Sequence, residues 1–251
     1  MQGTFHDILE ATGGRLVQGP AGTAFAGLSI DSRTIAPGEA FVAIRGEVHD
    51  GHRFLPQVLS GPSAAGVVVA ADRLDALAGT LGAHPQAACV AVADTTRALG
   101  DIAARHRRRC PAAVVAITGS NGKTSTRRMT AAVLARRFAV LEPARNLNNR
   151  IGVPLTLFRL EPRHQWAVLE LGTSMPGEIA RLAEISRPDV AVVTNVGPAH
   201  LEGLGSLEGV AAEKGALVAG LAPGGRAVLN ADDPRVAAMG AGLGGDALMF
   251  G

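Results

Sequence analysis

The run Val114-Val115-Ala116-Ile117-Thr118-Gly119-Ser120-Asn121-Gly122-Lys123-Thr124-Ser125 holds residue types that can grip a polyphosphate. Glycines let backbone N–H groups close around phosphate oxygens, and the start of the helix that follows adds its dipole. Lys123 supplies a positive charge and Thr124 a hydroxyl suited to Mg²⁺. The spacing departs from the common G-x-x-x-x-G-K-[ST] loop, because Ile117 stands where the first glycine belongs and Gly119 is the glycine available. An ordinary strand–turn–helix connection is the competing reading.

Other reactive side chains recur at strand ends. Glu170 lies within the apolar stretch Trp166–Leu171, where a carboxylate is costly unless paired or bound to a metal. Asn195 follows another apolar stretch, with His200 and Glu202 five and seven residues later; a lone loop histidine by itself is usually only hydrogen-bonded. Lys214 falls within the apolar stripe Leu207, Val210, Ala211, Leu217, Val218 and Leu221 of a helical pattern. Either its stem lies along the core with the amine reaching water, or burial lowers its pKa and leaves a chemically competent neutral amine. Two further polar clusters, Asp31-Ser32-Arg33 and His49-Asp50-Gly51-His52, read on composition as solvated turns, and neither identifies a ligand by itself.

The elements that must position these groups form an α/β pattern. Over residues 1–84, Phe5 to Ala11 predicts a helix, and Ala26–Ile30, Ala40–Ile44 and Gly66–Ala70 predict strands. Residues 85–251 are expected to form a second domain. It opens with a strand within Pro85–Ala93 and a helix N-capped by Asp94 that ends in Arg105-His106-Arg107-Arg108-Arg109. That basic run reads as a solvated helix end whose cations suit the C-terminal dipole. Strands are then expected at Ala112–Ile117, Trp166–Leu171, Val190–Thr194 and Arg226–Asn230, with helices at Thr126–Phe138, Gly177–Ile185 and Ser206–Leu221. Short, continuously apolar strands alternating with helices predict a doubly wound, mostly parallel sheet with functional groups at its carboxyl ends.

Composition narrows the classes. Of 251 residues 47% are hydrophobic and 18% charged, which fits a globular chain with a substantial core. A net charge of +2 and the absence of tyrosine argue against nucleic acid as a partner. No stretch reaches eighteen apolar residues, so membrane insertion is not expected. Cys89 and Cys110 form no C-x-x-C pair, and a reducing cytoplasm is expected.

Together these segments resemble the Mur ligases, the ATP-dependent amide-forming enzymes of peptidoglycan synthesis. The resemblance rests on Thr118–Thr124, Asn146-Leu-Asn-Asn-Arg-Ile-Gly-Val-Pro-Leu-Thr156, Glu170-Leu-Gly-Thr-Ser-Met-Pro-Gly-Glu178 and Ala199-His-Leu-Glu-Gly-Leu-Gly-Ser-Leu-Glu-Gly209, and runs from about Gly27 to Asp233. It implies a small N-terminal α/β domain that binds a UDP-linked substrate, then a P-loop ATPase domain. It also implies addition of D-Ala-D-Ala to UDP-N-acetylmuramoyl-tripeptide through an acyl phosphate. Lys123, Lys214 and His200 would be the catalytic residues. ATP would meet Gly119, Ser120, Asn121, Gly122, Lys123, Thr124 and Ser125, with Asn195 and Asn230 nearby. Mg²⁺ would meet Thr124, Glu170, His200 and a carbamylated Lys214. Asn146, Asn148, Asn149, Thr173 and Ser174 would face the muramoyl peptide, and Ser32, Arg33, Asp50 and His52 the UDP end. Full-length relatives are expected to be monomers.

Measured against that family, the sequence stops at Phe250-Gly251 inside the central domain, so the chain alone is expected to have little ligase turnover. Two other functions share parts of the pattern. A P-loop phosphotransferase or NTPase would need only the phosphate loop, and a non-catalytic UDP-substrate-binding fragment only the first domain.

Overall fold

The computed structural model describes residues 1–46, 48–61 and 64–251, and it separates into two compact units, Met1–Arg105 and His106–Gly251. In the first, strands β1 (Gly3–Thr4), β2 (Arg15–Gln18), β3 (Ala24–Phe25), β4 (Gly27–Ser29), β5 (Glu39–Val42), β6 (Gly66–Ala70) and β7 (Ala88–Val92) accompany helices α1 (Phe5–Thr12), α2 (Leu55–Ser60), α3 (Leu74–Gly82) and α4 (Thr95–Arg108), the last reaching three residues past the division. A five-stranded sheet runs β2-β7-β6-β5-β4, parallel except for β2, and β1 pairs with β3 apart from it. Phe41, Val67, Val69 and Cys89 meet Leu55, Val58, Leu77 and Leu81 of α2 and α3 in one apolar cluster. Because β7 pairs with both β2 and β6, the expected division at 84/85 falls inside this unit.

The second unit is a six-stranded parallel sheet. Its strands β8 (Ala113–Thr118), β9 (Val140–Leu141), β10 (Trp166–Glu170), β11 (Val190–Val193), β12 (Arg226–Asn230) and β13 (Ala247–Phe250) lie in the order β13-β12-β11-β8-β10-β9. Between them come α5 (Lys123–Leu134), α6 (Gly152–Leu157), α7 (Glu178–Ser186), α8 (Leu201–Leu204), α9 (Leu207–Ala219) and α10 (Pro234–Ala238). Successive residues of β11 show the double winding. Val192 packs with Ile117, Val168 and Ala131 of α5, whereas Val193 packs with Val218 of α9 and Val236 of α10. The first strand, β8, is central, with β10 on one side and β11 on the other. Its carboxyl end is therefore the point where the chain reverses direction across the sheet, a common place for a ligand.

The strands and helices that the sequence pattern predicts are present, whereas β2, α2, α3, α6 and β13 have no counterpart in it. Helix α5 begins at Lys123, three residues before its expected start. The basic run departs from expectation at His106, half-buried with its Nε2 3.0 Å from the Leu160 carbonyl oxygen, and most at Arg107. Arg107 is 8% exposed and donates from Nε to the Ser186 carbonyl at 2.9 Å and from Nη1 to that of Cys110 at 3.1 Å. It satisfies the carbonyls at the end of α7 instead of standing in solvent.

Candidate functional site

The loop between β8 and α5 depends on two glycines. Gly119 has φ +150, and a Cβ there would overlap Thr194 Oγ1; Gly122 has φ +80 and begins α5 with no side-chain cap. The first turn of α5 therefore keeps its N–H groups for a ligand. The end of β11 clamps this loop. Asn195 Oδ1 accepts from Asn121 N–H at 2.9 Å, and Asn195 Nδ2 and Thr194 Oγ1 donate to the Asn121 carbonyl at 3.2 and 2.6 Å. Ser120 Oγ donates to the Gly197 carbonyl at 3.0 Å and accepts from Gly197 N–H at 2.8 Å. Asn230 Nδ2 donates to the Thr194 carbonyl at 2.9 Å and Asp233 Oδ2 accepts from Val196 N–H at 2.7 Å, so β12 and α10 steady the same corner. Ser125 is exposed in the first turn of α5.

Lys123 folds back over the loop, its Nζ donating to the carbonyls of Gly119 at 2.8 Å and Ser120 at 3.1 Å. Burial lowers its pKa, with the Glu170 carboxylate working the other way. Glu170 closes β10 and is 4% exposed; its Oε2 accepts from Thr124 Oγ1 and its Oε1 from Asn148 Nδ2, each at 2.8 Å. Arg127 is also buried, pairing with Glu142 at 2.6 Å, with its Nε 3.9 Å from Glu170 Oε2 and without a hydrogen-bond partner. A hydroxyl touching a carboxylate beside a phosphate-type loop is the oxygen donor chemistry Mg²⁺ prefers.

Lys214 is 2% exposed on α9, and no protein hydrogen bond reaches its amine among the described residues. Burial and then the charge of Lys123 push its pKa down to about 8. Of the two readings left open by the sequence, the structure favours the enclosed amine. Only Lys123 and Lys214 are lysines in a chain with 24 basic residues; every other one is arginine. An arginine cannot be deprotonated in a protein, so the two positions that keep lysine are those where a neutral amine is attainable. That signal was present in the sequence and passes unnoticed if lysine and arginine are pooled.

The remaining residues divide. Asn149 Oδ1 accepts from Ile151 and Gly152 N–H at 3.1 and 2.8 Å and so starts α6, while Asn146 is exposed. Thr173 Oγ1 donates to the Met175 carbonyl at 2.9 Å, and Ser174 N–H to Glu178 Oε2 at 2.7 Å. His200 stands exposed at φ +54 before α8, with no hydrogen bond to its ring among the described residues. No group of three or more His, Cys, Asp or Glu able to hold a metal occurs among the described residues. Glu213 and Arg127, both buried, were missed by sequence reasoning. Glu213 follows Val210 by three and precedes Leu217 by four, the spacing that marks a buried helix face.

In the first unit, Arg33 and Asp31 form a bidentate pair at 2.8 and 2.7 Å that holds the Asp31 carboxyl down to about 2, and the half-buried Ser32 lies between them. His52 is 4% exposed and uses both ring nitrogens: Nδ1 lies 2.6 Å from Asp50 Oδ1, and Nε2 accepts from Ala70 N–H at 2.9 Å. The backbone donor fixes the tautomer, with the proton on Nδ1. Arg73 pairs with the other Asp50 oxygen at 3.0 Å. His52 thus braces the turn that presents Asp50.

Comparison with known proteins agrees with this fold. The Mur ligase middle domain matches residues 117–251, and the Mur ligase family catalytic domain matches residues 24–107. The chain is 46% identical over 206 residues to the UDP-N-acetylmuramoyl-tripeptide–D-alanyl-D-alanine ligase of Escherichia coli (strain K12), covering 82% of this chain and 43% of that protein. It is 36% identical to the ligase of the same name from Bacillus subtilis (strain 168), covering 84% and 45%. The chain thus spans less than half the length of these curated relatives. Among solved structures, MurF from Acinetobacter baumannii superposes with a TM-score of 0.84 at 32% identity, covering 99% of this chain and 53% of that one. MurF ligase from Thermotoga maritima in complex with ADP gives 0.74 at 28% identity, covering 89% and 49%.

Proposed function

This chain belongs to the Mur ligase family, and we propose that it supplies the nucleotide site and the UDP-substrate site of a ligase that adds D-Ala-D-Ala to UDP-N-acetylmuramoyl-tripeptide in the cytoplasm. The observation that carries the proposal is the meeting of Lys123, Thr124, Glu170 and a nearly inaccessible Lys214 in the unit that opens with the phosphate loop. Joining a carboxylate to ATP brings two anions together, and the site answers with fixed positive charge. The N–H groups of the loop and of the first α5 turn hold the phosphates, while Lys123 neutralises them. Thr124 and Glu170 would hold Mg²⁺, with His200 and a carbamylated Lys214 in the same role by family resemblance; the ion would screen the phosphate charge. Asn148 keeps Glu170 oriented. Thr173, Ser174, Asn146 and Asn149 face the muramoyl peptide in this reading, while Ser32, Arg33 and Asp50, braced by His52, face the UDP end.

Calorimetric titration of the 251-residue chain tests it directly. Saturable binding of UDP-N-acetylmuramoyl-tripeptide, weakened by the double change Ser32→Ala and Arg33→Ala, together with Mg²⁺-dependent binding of ADP, is the expected result. A folded chain that binds ADP but not the UDP substrate would sink the ligase reading and leave a nucleotide-binding domain.

A further inference from the structure

Two carboxylates hold the segment that carries Thr173 and Ser174, and the mechanism above uses neither. Glu213, on α9 immediately before Lys214, is 6% exposed. Its Oε1 accepts from Ile179 N–H at 2.6 Å and its Oε2 from Gly177 N–H at 2.7 Å, and the Thr173 hydroxyl, whose one proton is shared with the closer Met175 carbonyl, lies 3.2 Å from Oε1. Both N–H donors open α7, whose own N-cap is Gly177 at φ +84, a residue with no side chain to offer. Helix α9 therefore supplies the cap that α7 lacks. A carboxylate suits the place, since two N–H donors and the positive end of a helix converge on it. Glutamine does not, because its amide nitrogen would face one of those donors. Glu178 completes the arrangement by accepting from Ser174 and Met175 N–H at 2.7 and 3.1 Å.

Because Lys214 is the next residue on the same helix, wherever Glu213 is held the backbone that carries the amine is held too. We infer that Glu213 is a positioning residue, tying the Thr173–Gly177 segment to the helix that bears Lys214 so that the two move as one body. The importance of that tie for catalysis rests on the ligase reading; the tie itself does not.

The lysine content makes the test clean. An amine-acylating reagent can modify only Lys123, Lys214 and the N-terminal amine, and peptide mass spectrometry reads each rate separately. In folded Glu213→Gln, Lys214 should be acylated about tenfold faster than in the unaltered chain when the two are compared by their limiting rates at high pH, the effect of losing one charge-assisted hydrogen bond on local opening. There the amine is neutral in both, and the loss of the Glu213 charge, which holds the Lys214 pKa up, no longer counts. Lys123 should be unaffected, whereas general destabilisation would speed both. Thr173→Val should give a smaller increase that vanishes in the Glu213→Gln background. The UDP-substrate affinity should fall with Glu213→Gln. A folded Glu213→Gln that acylates Lys214 at the original rate overturns the inference. If that variant fails to fold, an unchanged rate in Thr173→Val overturns it instead. An unaltered chain that binds no UDP substrate, yet shows the labelling change, removes the ligase reading and leaves the tie standing.

Discussion

In the second unit Lys214, Glu213, Glu170 and Arg127 are each less than a tenth exposed; the charges of the last three face one another or backbone dipoles, while the Lys214 amine has no hydrogen-bond partner among the described residues. In the first unit the Arg33 side chain is 81% exposed beside Asp31, and Arg45 and Asp72 pair at the surface, with His52 and Asp50 as the enclosed exception. Exposed pairs cost little and contribute little. Buried charges are expensive, and the same volume filled by apolar side chains is often as stable or more so, so their retention points to chemistry. The second unit thus gives up stability to hold reactive groups. The first gives up almost none and offers its polar groups to solvent.

The largest effect expected from that contrast is at Lys123. Lys123→Met should lower Mg·ADP affinity by roughly 10- to 100-fold, the worth of one or two hydrogen bonds to charged groups at about 1.5–3 kcal/mol. The melting temperature should stay level or rise, because a half-buried cation has been removed. Calorimetry and a thermal melt on one preparation decide the matter. A large loss of stability with intact ADP binding would reverse the contrast.

Next comes Lys214→Met, studied in CO₂-free buffer. The amine's pKa is about 8 in the folded chain against 10.5 ordinarily. At pH 7 it is protonated whether the chain is folded or not, and folding bears the full cost of burying a cation. Between about 8 and 10.5 only the unfolded chain keeps the proton, so stability rises with pH; above 10.5 the cost is gone. The variant should therefore melt higher at pH 7, by an amount on the order of 3 kcal/mol at most, and the gap should close as the pH passes 10. A gap that is constant with pH would mean the amine reaches water.

Residues 113–134 were the most legible part of the sequence, because a phosphate loop constrains strand, glycines and helix start at once. Lys214 was legible as an anomaly on an apolar stripe. Glu213 was not, since its partners are backbone N–H groups thirty-four and thirty-six residues away that no local pattern records. The two-residue strands β1, β3 and β9 were equally hidden: each is fixed by its pairing partner, with too few residues to show a period. The Asp50–His52 turn was read as solvated or ligand-binding, and its bond to Ala70, eighteen residues on, shows a bracing role that spacing cannot express.

That bracing sets the third expectation. His52→Ala leaves the Ala70 N–H without its partner and takes one of two donors from Asp50 Oδ1, which keeps the backbone N–H of residue 52, and should destabilise the chain by about 1–3 kcal/mol. Mg·ADP affinity measured below the melting transition should not change. A drop in ADP affinity as well would show that the enclosed exception of the first unit serves more than its own fold.

Arg33→Ala should have the smallest effect on stability. Both members of its pair stand in solvent, so the melting temperature at pH 7 should move by no more than about 2 °C. The Asp31 carboxyl is held at about 2 by the Arg33 side chain and then by the residue-33 backbone N–H, and in the variant, which keeps only the second, it should titrate above 2 and still below its ordinary 3.8, as carbon-detected NMR can follow. The sign is fixed by the depression: whatever the pair contributes is present above pH 3.8 and is lost as the pH falls through 2. A guanidinium kept in place by a carboxylate, at so little structural consequence, is free to turn toward a ligand anion. If Arg33→Ala weakens UDP-substrate binding while the melt is unmoved, the first unit spends its exposed charge on recognition as the second spends its buried charge on chemistry. If binding is unmoved as well, Asp31–Arg33 is only a solvated turn, and recognition in that unit falls to Asp50 and Ser32.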